Sequence, residues 1–275
     1  MLRIETRGTW REMGAQLAEE FRPRFEPVLE RFAPWLARDL DHFRPAVAAL
    51  RQTVLRLVPE IEEETQGMAS ALNWDADLAL GLRYFNEIRT WQLPGCTGIF
   101  LNTGDRGPLL ARTCDLEPDM SAEVQLCRVN RPRDGIATVL MTYLPLTAGV
   151  GFNELGIAFT GASASTKGPA NAEGIPGAVF NQMLITRCRS LAEVTDLAAR
   201  HTLRGKGAIQ LACDAEGRSL LLELTAGSPI RVTPRRRDRD WQACTNFCQS
   251  KGLVPDADAA YLENAYARYG RLVHQ

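Results

Sequence analysis

The chain has 275 residues, 45% of them hydrophobic and 24% charged, with a formal net charge of −1 at pH 7. That length and composition permit a globular fold with a sizeable core, as one large domain or two small ones. The near-zero charge argues against a nucleic-acid partner, which needs a clustered basic excess, and no stretch approaches the roughly 18 apolar residues of a membrane span.

The N-terminal "MLRIETRGTWREMG" has no apolar core of a secretory signal. The seven cysteines (96, 114, 127, 188, 213, 244 and 248) are odd in number and irregularly spaced. They read as reduced thiols, which points to a cytoplasmic protein. Cys244 and Cys248 lie four apart, but His42, His201 and His274 are far off in sequence, so no zinc signature emerges and neither metal nor cofactor is expected.

Residues 1–95 read as helical. In "TWREMGAQLAEEFRPRFEPVLERFAPWLARDL", Leu17, Phe21, Phe25 and Leu29 recur every four residues. "VAALRQTVLRLVPEIEEETQGMASAL" continues with Val54, Leu55 and Leu57 before Pro59. Asn73 or Asp75 then caps "NWDADLALGLRYFNEIRTWQ", with Leu80, Leu82, Tyr84 and Phe85 expected in the core. At Pro94-Gly95 the pattern changes to short strand-like runs and turns: "CTGIFLN", the turn "TGDRG", "PLLARTCDL", "AEVQLCRV", "ATVLMTYL" and "GIAFTGAS". A helical block over about 178–201 follows, then the hairpin "GAIQLACD"–"RSLLLELT", then "QACTNFC" and a last helix, "DAAYLENAYARYGRL". The basic run "RVTPRRRDRD" at 231–240, interrupted by two aspartates, reads as a solvated hairpin turn. Strands, helices and strands again predict an antiparallel α+β layered fold, with no internal repeat.

Cys96 follows Gly95 at the start of the first strand. Were that bond cut, Cys96 would carry both a thiol and an α-amine, whose reference pKa of about 8 suits a general base for its own side chain. The "TGDRG" turn folds 108–115 back on 96–102 and brings Arg112 and Asp115 near Cys96, up to register. A carboxylate there would orient the amine, and a guanidinium would favour the thiolate. The plainer alternative is a surface ribbon whose Arg112 and Asp115 form an exposed pair worth little. Cys114 reads more simply as a buried strand thiol than as a redox partner for Cys96. Asn153-Glu154 occupies a turn between apolar strands. Asn246 stands among apolar residues near a strand end, where its N–H donors suit an oxyanion hole and a cap or turn role fits as well.

Taken in order, Gly-Cys-Thr, "LLARTCD", "NELGIAFT", "CTNF" and "ENAYARYGRL" resemble the penicillin acyltransferase family of N-terminal nucleophile (Ntn) hydrolases, peptidase family C45, related to the choloylglycine hydrolases. "GTWREMGAQLAEEFRPR" and "MASALNWDADLALGLRYFNEI" resemble its helical pro-segment, so the likeness is spread over nearly the whole chain. The resemblance implies a four-layer αββα sandwich over 96–275, with 1–95 as a helical pro-segment or small subunit. It implies autocatalytic cleavage between Gly95 and Cys96, with Cys96 as nucleophile. Arg112 and Asp115 then line the site, Asn246 helps form the oxyanion hole, and Arg268 matches a family arginine near the cysteine. Where relatives carry an Asn after the "NExG" strand this chain reads "FTGASAS", leaving Thr160 or Ser163 in its place. It also stops at His274-Gln275, where the family continues with further strands.

The function expected is attack by Cys96 on a linear amide or thioester, the acyl-enzyme passing to water or to an amine acceptor. The partners are then a small-molecule amide or acyl thioester, that amine, and the chain's own cleaved N-terminal fragment. The alternative is an Ntn-type scaffold that is never cleaved and has a binding or latent role. A Cys–His thiol hydrolase finds no histidine in a recognisable motif. Loops near 116–121, 144–150 and 163–176 are expected to line the pocket, the last as a lid whose only cation is Lys167.

Overall fold

The computed structural model describes residues 2–88, 95–115, 125–143, 150–164, 173–205 and 207–274. In chain order the first elements are β1 (Leu2–Gly8), α1 (Trp10–Phe32), α2 (Pro34–Arg38), α3 (Leu40–Leu57), α4 (Pro59–Leu72), α5 (Ala76–Arg83) and α6 (Phe85–Ile88). The strands β2 (Gly95–Asn102), β3 (Pro108–Asp115), β4 (Gln125–Pro132), β5 (Thr138–Tyr143), β6 (Val150–Asn153), β7 (Ala158–Ser163) and β8 (Ile175–Pro176) follow. Then come α7 (Gly177–Arg187), α8 (Leu191–Ala199), β9 (Leu203–Arg204), β10 (Ala208–Cys213), β11 (Ser219–Leu224), β12 (Arg231–Pro234), β13 (Trp241–Cys244) and α9 (Ala259–Val273). They form two compact units.

The first unit comprises Met1–Trp91, Pro118–Glu154 and Asn181–Arg187. Helix α1 starts at a capping box. The Thr9 hydroxyl accepts from Glu12 N, and the Glu12 carboxylate accepts from Thr9 N. Leu17 and Phe21 are buried as their spacing of four predicts, and Leu29 is half-buried; the side chain of Phe25 lies outside the described residues. Of Val54, Leu55 and Leu57 only Val54 is fully buried, whereas Leu80, Leu82, Tyr84 and Phe85 all are. Asp75 caps α5, and Asn73 instead ends α4 in the left-handed region at φ 56. Helices α1 and α4 touch backbone to backbone. A Cβ at Gly14 would run into the carbonyl of Glu64, and one at Gly67 into that of Arg11.

Residues 2–8 depart from the helical expectation. Ile4 and Thr6 are buried while Arg3, Glu5 and Arg7 are exposed, a period of two that reads as a half-buried strand. β1 pairs in parallel with β4, from Leu2 opposite Leu126 to Gly8 opposite Pro132, and β4, β5 and β6 continue antiparallel. Behind this sheet lies Glu64 on α4, whose carboxylate accepts from Arg83 and Arg128, all three 2% exposed or less. Asn130 extends the network, accepting from Thr6 Oγ1 at 3.1 Å and donating to Thr138 Oγ1 at 3.3 Å. Burial pushes the Glu64 carboxyl up, but Arg128 and Arg83 outweigh it together and hold it below the usual carboxylate value.

The second unit comprises Gln92–Glu117, Leu155–Phe180 and Cys188–Gln275. It has four layers. β7, β10, β11 and β12 form one antiparallel sheet, and β13, β2 and β3 a second. The two sheets pack through β2 and β3 on β7, and through β10 on β2 and β13. Helix α8 covers β11 and β12, and α9 covers β13 and β2. This is the αββα sandwich of the α+β class expected from the sequence. Its interior holds Cys96, Phe100, Ala162, Ile209, Leu211, Leu221 and Cys244. The run 231–240 is not a hairpin: β12 pairs with β11 and β13 with β2, so 235–240 crosses between sheets. Local composition marks such a turn but not the strand that each flank will find.

Glu64→Gln leaves two buried guanidinium groups without a counter-charge, which should cost about 3–5 kcal/mol. The measurement is the urea midpoint at pH 7. The deficit should shrink as the pH falls through the depressed pKa of Glu64, because the wild-type carboxyl then becomes neutral too.

Candidate active site

β2 is the middle strand of its sheet, and its register with β3 sets Gly95 opposite Asp115, Cys96 opposite Cys114 and Gly98 opposite Arg112. Cys96 N donates to Asn246 Oδ1 at 2.7 Å, and Cys96 O accepts from Arg268 Nη1. The N–H and C=O of one strand residue point to the same side, so both point away from β3. Cys96 and Cys114 are therefore a non-hydrogen-bonded cross-strand pair, the closer of the two kinds. Their sulfurs stand 3.6 Å apart. Arg112, diagonal to Cys96 and opposite a glycine, donates from Nη2 to Cys96 Sγ at 3.3 Å and to Cys114 Sγ at 3.5 Å.

Asn246 lies two residues beyond Cys244, the last rung of the β13–β2 ladder, and its side chain continues that ladder. Its Oδ1 takes two donors, Cys96 N and Arg268 Nη2 at 2.8 Å, which fixes the orientation of the amide. Its Nδ2 donates to Ser163 O at 2.9 Å and Ser163 Oγ at 3.3 Å. The end of Asn246 facing Cys96 is thus the acceptor, and the donor expected for an oxyanion hole is turned to Ser163. Arg268 is held by Asn264 Oδ1 at 2.7 Å and donates to Thr97 Oγ1 at 2.8 Å, as well as to Cys96 O and Asn246. Asp115 sits directly beside Gly95, where any Cβ would overlap its carboxylate. Thr160 Oγ1 is buried with no hydrogen-bond partner among the described residues, close to Gly98.

The five predicted residues, Cys96, Arg112, Asp115, Asn246 and Arg268, are thereby brought to one end of β2. Among the described residues, none of the hydrogen-bond partners of Cys96 is a histidine. Asn153 and Glu154 serve the first unit instead: Asn153 Nδ2 donates to Ile185 O, and the Glu154 carboxylate accepts from Ala137 N. Cys114, Thr97, Ser163 and Asn264 complete the site. For Cys114, the alternation from Arg112 was the available signal, since residues two apart on a strand share a face. Residues 116–121, 144–149 and 165–172, with Lys167, lie outside the described residues. Among the described residues no group of three or more His, Cys, Asp or Glu is placed to hold a metal, and no helix is long and apolar enough to cross a membrane.

Electrostatics separate Cys96 from the other thiols. The Cys114 thiol that donates to it lowers its pKa most, burial opposes, Arg112 lowers it further and the Asp115 charge opposes; the result is about 6. Cys188, Cys213, Cys244 and Cys248 are all pushed up to about 12, chiefly by burial.

The profile of the acyl-coenzyme A:6-aminopenicillanic acid acyl-transferase family matches residues 101–275. The chain belongs to that family. Among solved structures, it is similar to a mutant conjugated bile acid hydrolase from Clostridium perfringens, at 16% identity and a TM-score of 0.38 over 63% of this chain and 57% of that one. A penicillin V acylase from Agrobacterium tumefaciens matches at 12% identity and a TM-score of 0.33, over 55% of this chain and 45% of that one. The chain spans about half the length of these proteins. No curated protein sequence matches it.

The low thiol pKa has a direct readout. Iodoacetamide labelling at the Cys96 peptide of full-length protein should rise with pH through about 6 and then level off. Arg112→Met removes the cation and should move that midpoint upward; an unchanged midpoint would show that Arg112 does not act on the sulfur.

Proposed function

We propose that this family member is an autoproteolytically activated cysteine amidohydrolase or acyltransferase that works through an acyl-Cys96 intermediate. The observation that carries the reading is that sulfur, nitrogen and carbonyl of one residue are each held by a different polar side chain: Arg112 at Sγ, Asn246 at N and Arg268 at O. Backbone partners would satisfy the N–H and C=O of an ordinary middle-strand residue, and nothing in a ladder calls for a guanidinium at the sulfur.

In activation, Cys96 Sγ attacks the Gly95 carbonyl, and the peptide nitrogen leaves as the α-amine of Cys96, giving a thioester. Water then hydrolyses the thioester and frees the thiol. Gly95 keeps the carbonyl open and admits the Asp115 carboxylate alongside it. The new α-amine inherits the place of the amide nitrogen, where Asn246 Oδ1 accepts its hydrogen bond. It then serves as base for Sγ, with Asp115 near enough to orient it. On substrate, Sγ attacks the carbonyl of a linear amide or an acyl thioester, the leaving amine or thiol takes the proton, and the acyl group passes to water or to an amine. The family's description, an acyl-coenzyme A donor and an amine acceptor, favours testing a thioester first. Oxyanion stabilisation by Asn246 Nδ2 would require it to exchange Ser163 for the substrate oxygen. The need for a reduced, working thiol favours a reducing compartment such as the cytoplasm.

Purified protein should convert into a chain ending at Gly95 and one starting at Cys96, by mass and N-terminal sequencing. Cys96→Ala should stay intact and inactive. An intact, inactive wild-type chain would instead support the uncleaved scaffold with a binding or latent role. Within the processed enzyme, Asp115→Asn keeps the shape and removes the charge, and should lower turnover and shift the pH–rate profile for acyl transfer. Normal turnover with an unmoved profile would remove Asp115 from the chemistry.

A further inference from the structure

Beyond its hydrogen bond to the nucleophile, Cys114 takes no bond-making step in the acyl-transfer chemistry, yet its sulfur stands 3.6 Å from that of Cys96. We propose that Cys96 and Cys114 form a two-cysteine site that reacts with hydroperoxides and closes to a disulfide. This goes beyond the proposed function and holds whether or not the chain is cleaved; only its effect on activity rests on that reading.

The backbone geometry suits a disulfide. The two residues are directly opposed on β2 and β3, and the outward turn of Cys96 N and O makes them a non-hydrogen-bonded pair. Such pairs have Cα atoms about 4.5 Å apart, inside the range of roughly 4.4–6.8 Å that a disulfide bridges. From 3.6 Å the sulfurs must close to about 2.05 Å, a movement within reach of side-chain rotation. Arg112 donates to both sulfurs, so one cation holds them together and favours the thiolate that starts the reaction. Cys96 is fully buried and Cys114 half-buried, so Cys114 is the more exposed member of the pair. The environment that lowers the Cys96 thiol also sets it apart from the four buried thiols pushed up to about 12.

In the first step the Cys96 thiolate attacks one peroxide oxygen, the O–O bond breaks, and an alcohol or water leaves after taking a proton. Cys96 is then a sulfenic acid. In the second step the Cys114 sulfur attacks the Cys96 sulfur, the S–O bond breaks, and the hydroxide leaves as water with the Cys114 proton. Two thiols are oxidised by two electrons and one hydroperoxide is reduced. The disulfide caps the nucleophile, keeps it from irreversible sulfinic acid, and returns it on reduction by a thiol.

The test treats full-length protein with a small excess of hydrogen peroxide, blocks remaining thiols with iodoacetamide and maps tryptic peptides. Cleavage at Arg106 and Arg112 puts the two cysteines on different peptides, and fragment ions separate Cys114 from Cys127 on the peptide 113–128. Wild type should yield a Cys96–Cys114 linked pair that disappears with dithiothreitol. Cys114→Ser and Cys114→Ala should instead accumulate Cys96 sulfinic acid, severalfold faster than wild type. Wild type that oxidises Cys96 to sulfinic acid as fast as these variants, with Cys114 still alkylated, overturns the proposal; the wild-type map decides this alone if both variants misfold. Failure to self-cleave would sink the activation mechanism while leaving the cross-link expected, so the two outcomes are distinguishable.

Discussion

The register of β2 against β3 is the constraint on which the site depends. It puts Cys114 opposite Cys96, Asp115 opposite Gly95 and Arg112 on the diagonal. A slip of one residue would turn Arg112 and Cys114 to the other face and set Thr113 or Asp115 opposite Cys96 instead. Phe100 and Leu110, opposite each other further along the same pair and both packed in the core of the unit, oppose such a slip. On its other side Cys96 meets no backbone ladder. Its buried N–H and C=O must still be paired, and the partners are the side chains of Asn246 and Arg268, more than 145 residues away. The same hydrogen bonds that satisfy the strand therefore aim the reactive residue.

The first unit meets a comparable problem with a different outcome. Glu64 is as deeply buried as Cys96, and a lone carboxylate there would be neutral. Arg83 and Arg128 keep it charged, with β4 supplying one of them and α5 the other. Because Arg128 and β4 lie after Cys96 in the chain while Glu64 and β1 lie before Gly95, this network and the β1–β4 ladder tie the two sides of that peptide bond together without a covalent link. A break at Gly95–Cys96 would leave the N-terminal segment bound by these contacts.

Thiols in the second unit make the role of partners plain. Cys96 and Cys244 are both fully buried in one apolar cluster. Burial drives Cys244 up to about 12 against the opposing pull of Gly98 N–H and Arg112, whereas a thiol donor with a directly bonded guanidinium brings Cys96 down to about 6. Burial sets how much a neighbouring charge or donor counts, and the neighbours decide which way the proton goes.

Much of this was legible in the chain. Period-four spacing marked α1, alternation and turn residues marked the strands after Gly95, and the short "TGDRG" turn made Arg112 and Asp115 neighbours of Cys96, because a hairpin is a local structure whose loop limits its register. The ordered motifs carried the family. What remained depended on contacts between residues far apart in sequence: β1 becoming a strand through β4, the 231–240 run leaving one sheet to reach the other, and Arg268 reaching from α9 to Cys96 rather than lying on a helix surface. Sequence alone also left the amide of Asn246 free to act as donor or acceptor; only the arrival of Cys96 N and Arg268 on one oxygen chose. Local propensity and pattern act within a few residues, whereas the destination of a strand and the partners of a buried polar atom are settled only when distant segments pack.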